Sequence, residues 1–331
     1  MKTYDVYGVG NALVDTEYEV PENFLKDTKL KKGIMSLVGE DERQHLIHML
    51  ENEHELEMIN QAGGGSAANT MVIFSQLGGN SFYSCKVAND DIGDFFVKDL
   101  KEAGINTNLS NERELGTTGQ CISMITPDAE RTMATCLGIT NSLSPADLNP
   151  DALRASARLY LEGYLVSSKT GFETALEAQT IARSAALDIS LTLSDPAVVK
   201  SFLPNFHRIL DSGVDLLFCN HEEAKIITGN NSIEDCARSL QQFCPSFIIT
   251  SGEDGSIGFD GLKLSRINSV PTQPVDTTGA GDIFAGAFLY GLSRGKDFRA
   301  SAELAHRSAS LVVARFGARL TQRDVSRLLQ N

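Results

Sequence analysis

Four short apolar runs, at 158–161 (RLYL), 185–189 (AALDI), 215–219 (DLLFC) and 247–250 (FIIT), are each separated from the next by a stretch of helical pattern. A strand covered on both faces reads as a continuous apolar run, and a parallel neighbour is reached only through a crossover, normally a helix. Repeated units of this kind predict an α/β fold: a doubly wound, mostly parallel sheet with helices on both faces. Residues 4–9, with glycines at 8 and 10, read as a first buried strand that runs into a turn.

Four further runs interrupt that alternation. Residues 13–20 (LVDTEYEV), 34–38 (IMSLV), 119–125 (GQCISMI) and 131–136 (RTMATC) have strand character, the last two flanking a Pro-Asp turn at 127–128. They predict a small separate β-sheet lid, built from insertions at about 13–40 and 114–138 of a single domain spanning 1–331. Helical spacing of apolar residues marks 69–77, 91–103, 281–292 and 301–316, with Gly104 and Gly317 placed as helix-ending glycines. At 331 residues the chain can bury a large core, and there is no internal repeat.

The formal net charge of −14, with no cluster of Lys and Arg, opposes binding to nucleic acid or to an anionic membrane surface. Phosphates of a nucleotide would therefore need a local electropositive pocket or a divalent cation. Cys85, Cys121, Cys136, Cys219, Cys236 and Cys244 show no paired spacing and read as reduced, mostly buried thiols. Without a signal-like start or an 18-residue apolar run, a soluble cytoplasmic protein is expected.

Chemistry concentrates at Gly-rich elements. Asp276-Thr277-Thr278-Gly279-Ala280-Gly281-Asp282 opens a helical segment, where glycines let backbone N–H groups approach an anion and the helix dipole favours it. Asp282, at the lip of such a cradle, is placed to accept a proton from an attacking hydroxyl; the bland alternative is an ordinary acid in a first helical turn. Gly63-Gly64-Gly65-Ser66-Ala67-Ala68-Asn69 leads into a second helix. Asn220-His221-Glu222-Glu223 follows the strand DLLFC, where Asn220 and Glu223 suit either water around a magnesium ion or a helix cap. Thr250-Ser251-Gly252-Glu253-Asp254-Gly255 follows FIIT at a strand end, where open α/β sheets place ligands.

Taken in order, GGGSAAN, NHEE and DTTGAGD resemble the signatures of the ribokinase-like (PfkB) family of carbohydrate and nucleoside kinases, and the likeness runs from the first strand to the last helices. The resemblance implies ATP and Mg2+ as cofactors, with K+ in some members. It makes Asp282 the base, Gly279, Ala280 and Gly281 the anion hole, and Asn220 with Glu223 the magnesium and phosphate support. It sets Thr250, Gly252 and Gly255 along ATP, and likens Asp276 and Thr278 to monovalent-cation positions.

For the acceptor, Gly8-x-Gly10-Asn11-x-x-x-Asp15 resembles the first turn of adenosine kinases, implying that Asn11 and Asp15 approach a nucleoside and that Gly64, Gly65 and Asn69 hold it from the other side. Arg131 matches a lid arginine directed at the transferring phosphate, or is a plain hairpin arginine; His306 matches an adenosine-kinase position, or is a half-buried helix histidine. A carboxylate gripping vicinal hydroxyls suits sugars as well. Adenosine is therefore the favoured acceptor, with ribose, fructose or 2-keto-3-deoxygluconate as the alternative and a non-catalytic nucleoside binder as a third reading. Any of Leu13, Met35, Leu37, Met133 and Leu137 is a candidate to touch a base. An oxidoreductase reading of GVGNAL fails, because Leu13 stands where a third glycine belongs and Asp15 follows too soon. Monomer and homodimer both remain open.

Overall fold

In a computed structural model that describes residues 2–110, 112–128 and 130–330, thirteen strands follow in chain order among the described residues. They are β1 (Tyr4–Val9), β2 (Leu13–Glu19), β3 (Met35–Leu37), β4 (Met58–Gly64), β5 (Ser81–Ser84), β6 (Gln120–Ile125), β7 (Arg131–Cys136), β8 (Ser156–Leu161), β9 (Asp188–Thr192), β10 (Leu216–Asn220), β11 (Ser246–Thr250), β12 (Ser256–Phe259) and β13 (Leu264–Ile267).

Eight of them form one sheet in the order β13-β12-β11-β10-β9-β8-β1-β5. Every pairing from β5 to β11 is parallel, and the hairpin β12–β13 closes that edge antiparallel. Side chains alternate between two apolar layers, as the two-residue period of a strand requires. Leu159, Leu161, Ile189, Leu191, Leu217 and Ile249 pack with Ala175, Ala178 and Ala182 of the helix Lys169–Ser184. Val6, Tyr160, Leu216, Phe218 and Ile248 face the other way, onto the helices Ser66–Gln76 and Ala280–Ser293. This is the expected doubly wound α/β sheet.

Several boundaries differ by one to three residues from the sequence reading, and two of the differences have a local cause. The run at 185–189 starts in the turn that follows the helix Lys169–Ser184, with Ala186 at φ +54°, and β9 starts only at Asp188. The helix expected at 301–316 runs from Phe298 to Val313 instead, because the Asp297 side chain caps its start at Ala300 N.

The other five strands form the second sheet, in the order β3-β7-β6-β2-β4. Strand β4 went unread and carries the first excursion to Gly64, well past residue 40, since β2 and β4 pair from Leu13–Gly64 to Tyr18–Met58. Its sequence, MINQAGG, has neither apolar alternation nor β-branching beyond one Ile, so it looks like a loop. One face of this sheet packs Tyr18, Ile122, Met124 and Ala134 against Phe24, Leu46 and Leu50. The opposite face carries Asp15 beside Cys121 and Glu17 beside Ser123. Ala129, between β6 and β7 in sequence, lies outside the described residues. All six cysteines are free, five of them buried. No helix among the described residues is long and apolar enough to cross a membrane.

Candidate active site

A cavity of about 1010 Å³ is enclosed by the second sheet, the carboxyl ends of the central strands, and the N-termini of the helices Ser66–Gln76 and Ala280–Ser293. This is where open α/β sheets bind ligands. The two helices approach closely because Gly286 has no side chain: a Cβ there would meet Thr70 O and Ile73 Cγ2. One turn earlier on each helix, the same contact brings Asp282 against Ser66 and Asn69.

Asp282 Oδ1 accepts from Ser66 Oγ at 2.6 Å, and Oδ2 from Asn69 Nδ2 at 3.1 Å. Burial pushes its carboxyl up to about 6, against the lowering effect of those two hydrogen bonds and of Arg319. The helix that carries it begins at Gly279, φ +75°, with no side chain capping its first turn. Gly281 faces open space, with nothing within 4 Å of where a Cβ would stand. An uncapped helix start at a cavity wall fits an anion.

The three consecutive glycines at 63–65 each have a separate steric reason. A Cβ on Gly63 would enter the Asp99 carboxylate, and one on Gly64 would enter that of Asp15. Gly65 takes φ +97° and lies against Asn11 O. Asp15 lines the cavity, its carboxyl pushed up to about 6 by burial, with Arg319 opposing. Gly65 and Asn69 also line it, whereas Gly64 lies behind Asp15.

Glu162, unremarked in the sequence, is 1% exposed at the end of β8. Its Oε1 accepts from Asn11 N and Nδ2, and Oε2 from Ala67 N at 2.8 Å. It joins the first turn to the Gly-rich element, and burial pushes it up to about 7. A carboxylate directly after the strand RLYL was the available signal. Ser66 was equally findable, three residues before Asn69 on one helix face.

Asn220 and Glu223 reach the cavity wall and also cap a helix. Asn220 Oδ1 accepts from Glu223 N at 2.8 Å, and Glu223 accepts from Asn220 N and Nδ2, both at 2.9 Å. Both expected roles are thus compatible. One buried carboxylate with an amide beside it fits Mg2+, which keeps most of its waters and takes further ligands from phosphates. Among the described residues no three His, Cys, Asp or Glu gather around a common point for a metal.

Arg131 lines the cavity, with Nη1 3.2 Å from Asp276 Oδ2, Nη2 3.1 Å from Glu17 Oε1, and its guanidinium 4.9 Å over the Phe316 ring. It is not a free hairpin arginine. Asp276 also accepts from Thr278 N at 2.9 Å and from Gly317 N at 3.0 Å. These contacts make Asp276 an anchor of the loop before Gly279, and nothing in them calls for a monovalent cation.

Three of the residues given a ligand role lie off the cavity wall. His306 does not reach the cavity: it is 6% exposed, bonded to Ser256 Oγ at 2.8 Å and edge-on to Phe284, and burial lowers its ring to about 4. Gly252 and Gly255 lie off the wall, while Thr250 is on it. Gly255, φ +82°, turns β11 into β12 against Ile267 O, so a side chain is excluded by the hairpin itself. Leu13, Met35, Leu37, Met133 and Leu137 all line the cavity.

Known proteins resemble this chain in sequence and fold. The chain is 30% identical to the ribokinase of Bacillus subtilis over 270 residues, covering 80% of this chain and 87% of that protein. Among solved structures, a probable sugar kinase from Rhizobium etli CFN 42 matches with a TM-score of 0.88 at 30% identity, over 100% of this chain and 99% of that one. The adenosine kinase from Sinorhizobium meliloti matches with a TM-score of 0.87 at 31% identity, over 99% of both. The sequence pattern of the pfkB family carbohydrate kinases spans residues 34–324, and the chain belongs to that family.

Proposed function

We propose that the protein transfers the γ-phosphoryl group of ATP to the primary hydroxyl of a nucleoside, adenosine being the favoured acceptor, with Asp282 as general base. The observation that carries this reading is the Asp282 carboxylate, fixed by Ser66 and Asn69 inside the cavity beside an uncapped helix start. Asp282 takes the proton of the acceptor hydroxyl as it attacks in line. The N–H groups at Gly279–Gly281 stabilise charge on the transferred group, and Arg131 adds positive charge from the second sheet. When bound, Mg2+ would neutralise phosphate charge, with Asn220 and Glu223 orienting its waters. Asp15 takes the acceptor's vicinal hydroxyls, steadied by Asn11 and Asn69. The second sheet acts as a lid that excludes water, so that ATP is not hydrolysed.

The lining supports a nucleoside in particular. The same sheet face that presents Asp15 also presents Leu13, Met35, Leu37, Met133 and Leu137. A polyol end and an apolar end suit a ribose carrying a flat base, whereas a free sugar has nothing to set against that apolar wall. A coupled ADP-release assay with ATP, Mg2+ and a panel of adenosine, inosine, guanosine, cytidine, ribose, fructose and 2-keto-3-deoxygluconate tests this. Turnover with a nucleoside is expected; turnover confined to a sugar would transfer the assignment to a sugar kinase, and silence throughout would favour a binding protein.

The pH dependence has a definite sign. A base is active only when deprotonated, and both Asp282 and Asp15 are pushed up to about 6. Activity is therefore expected to rise steeply as pH passes through about 6 and to level off above it. A profile flat down to pH 5 would show that neither carboxylate limits the reaction.

A further inference from the structure

Arg319 ends a chain of side chains that begins at the proposed base. Its Nε donates to Asn69 Oδ1 at 3.0 Å, and Asn69 Nδ2 donates to Asp282 Oδ2 at 3.1 Å. Its Nη1 donates to Asp99 Oδ2 at 2.5 Å, which ties the guanidinium to the helix Asp91–Glu102. Nη2 is buried with no hydrogen-bond partner among the described residues. Arg319 itself is not on the cavity wall.

Two physical consequences follow. A side-chain amide fits its site equally well in either orientation until its neighbours choose. Arginine offers only donors and a carboxylate only acceptors, so Arg319 fixes Oδ1 on its own side and leaves Nδ2 for Asp282. The second consequence is electrostatic. Asp282 is faced by the carboxyls of Asp15 and Glu162, by the phenols of Tyr160 and Tyr164, by Ser66 and Asn69, and by Arg319. Burial opposes its ionisation and Arg319 favours it, while the Asp282 charge in turn raises Asp15 and Glu162. Gly63 protects the arrangement, since a Cβ there would stand inside the Asp99 carboxylate and 2.9 Å from Arg319 Nη2.

We propose that Arg319 is a positioning residue for phosphoryl transfer, which through Asn69 aims the Asp282 carboxylate and keeps it charged without touching either substrate. This rests on the reading of Asp282 as the base.

The test is the kcat–pH profile from pH 5 to 9, with saturating ATP and the acceptor found in the panel above, for wild type, Arg319→Gln, Arg319→Lys, Asp99→Asn and Asp282→Asn. In Arg319→Gln the acid limb is expected to move up by about one pH unit, as loss of a nearby cation requires. At pH 7 kcat falls about tenfold from lost charge and aim together, with part recovered by pH 9 and a smaller change in acceptor KM. Arg319→Lys keeps the cation but not the fork, so its limb stays near wild type on a lowered plateau. Asp99→Asn loosens the guanidinium but also removes an anion, so it is expected to lower the plateau without moving the limb up. If Arg319→Gln does not fold, the Lys and Asn variants are read in its place. An unmoved limb in Arg319→Gln or, where that variant does not fold, wild-type plateaus in Arg319→Lys and Asp99→Asn, with Asp282→Asn inactive, would make Arg319 a structural strut and overturn this inference alone. A wild-type profile in Asp282→Asn would overturn both readings together.

Discussion

Asp282→Asn is expected to lower kcat by about 10²- to 10⁴-fold, the range a positioned general base contributes, and to leave the fold intact. The reasons for the two halves of that result differ. Asn at 282 keeps the shape and can accept a hydrogen bond from Ser66 or Asn69, but it cannot take the acceptor's proton. Stability changes little because two effects oppose. Replacing a charge-assisted pair of hydrogen bonds with neutral ones costs about 1–3 kcal/mol. Against that, the raised carboxyl shows that the site already disfavours the charge. Single-turnover phosphoryl transfer and thermal unfolding, measured on one preparation, separate the two. Turnover within tenfold of wild type would remove Asp282 from the role, whereas a large fall in Tm would show that the lost activity is lost structure.

Much of this site was legible because its parts are local in sequence. A run of small residues that opens a helical pattern can be read as a helix start bearing an acid, whatever the rest of the chain does, and Asp282 sits at such a start. The parallel sheet was legible for a similar reason: RLYL, DLLFC and FIIT are apolar but for one end residue each, as strands covered on both faces tend to be. The failures have a common cause as well. Strand β4 is held by its partner β2, not by its own composition, and its glycines are there to clear Asp15, Asp99 and Asn11. Arg319 meets Asn69 across 250 positions, and nothing around either residue announces the other. His306 shows the opposite error. A likeness to a family position suggested a ligand role, yet its ring is engaged by Ser256 and Phe284 in the core, as the alternative reading of a helix histidine had it.

The glycines at 279 and 281 allow a cleaner experiment, because the structure explains one and leaves the other unexplained. Gly279 is required by the protein: it sits at φ +75°, which costs a non-glycine residue roughly 1–2 kcal/mol, and a Cβ would stand 2.6 Å from Ala318 Cβ and 2.8 Å from Ala318 O. Gly279→Ala is accordingly expected to lower Tm along with activity. Gly281 has no such excuse. It lies in the first turn of a helix, where alanine is the better former, and nothing outside its own helix turn comes within 4 Å of the missing Cβ. If the fold does not need a glycine there, a ligand that approaches the backbone closely does. Gly281→Ala should therefore leave Tm unchanged or slightly raised, while kcat/KM for ATP falls by about 10- to 100-fold as the methyl holds the phosphate away from the N–H groups. Unchanged kcat/KM for ATP would mean that the start of this helix is not where the phosphates lie. Loss of ATP kinetics with an intact Tm would instead locate them there by subtraction, since folding would have been shown indifferent to the same methyl group.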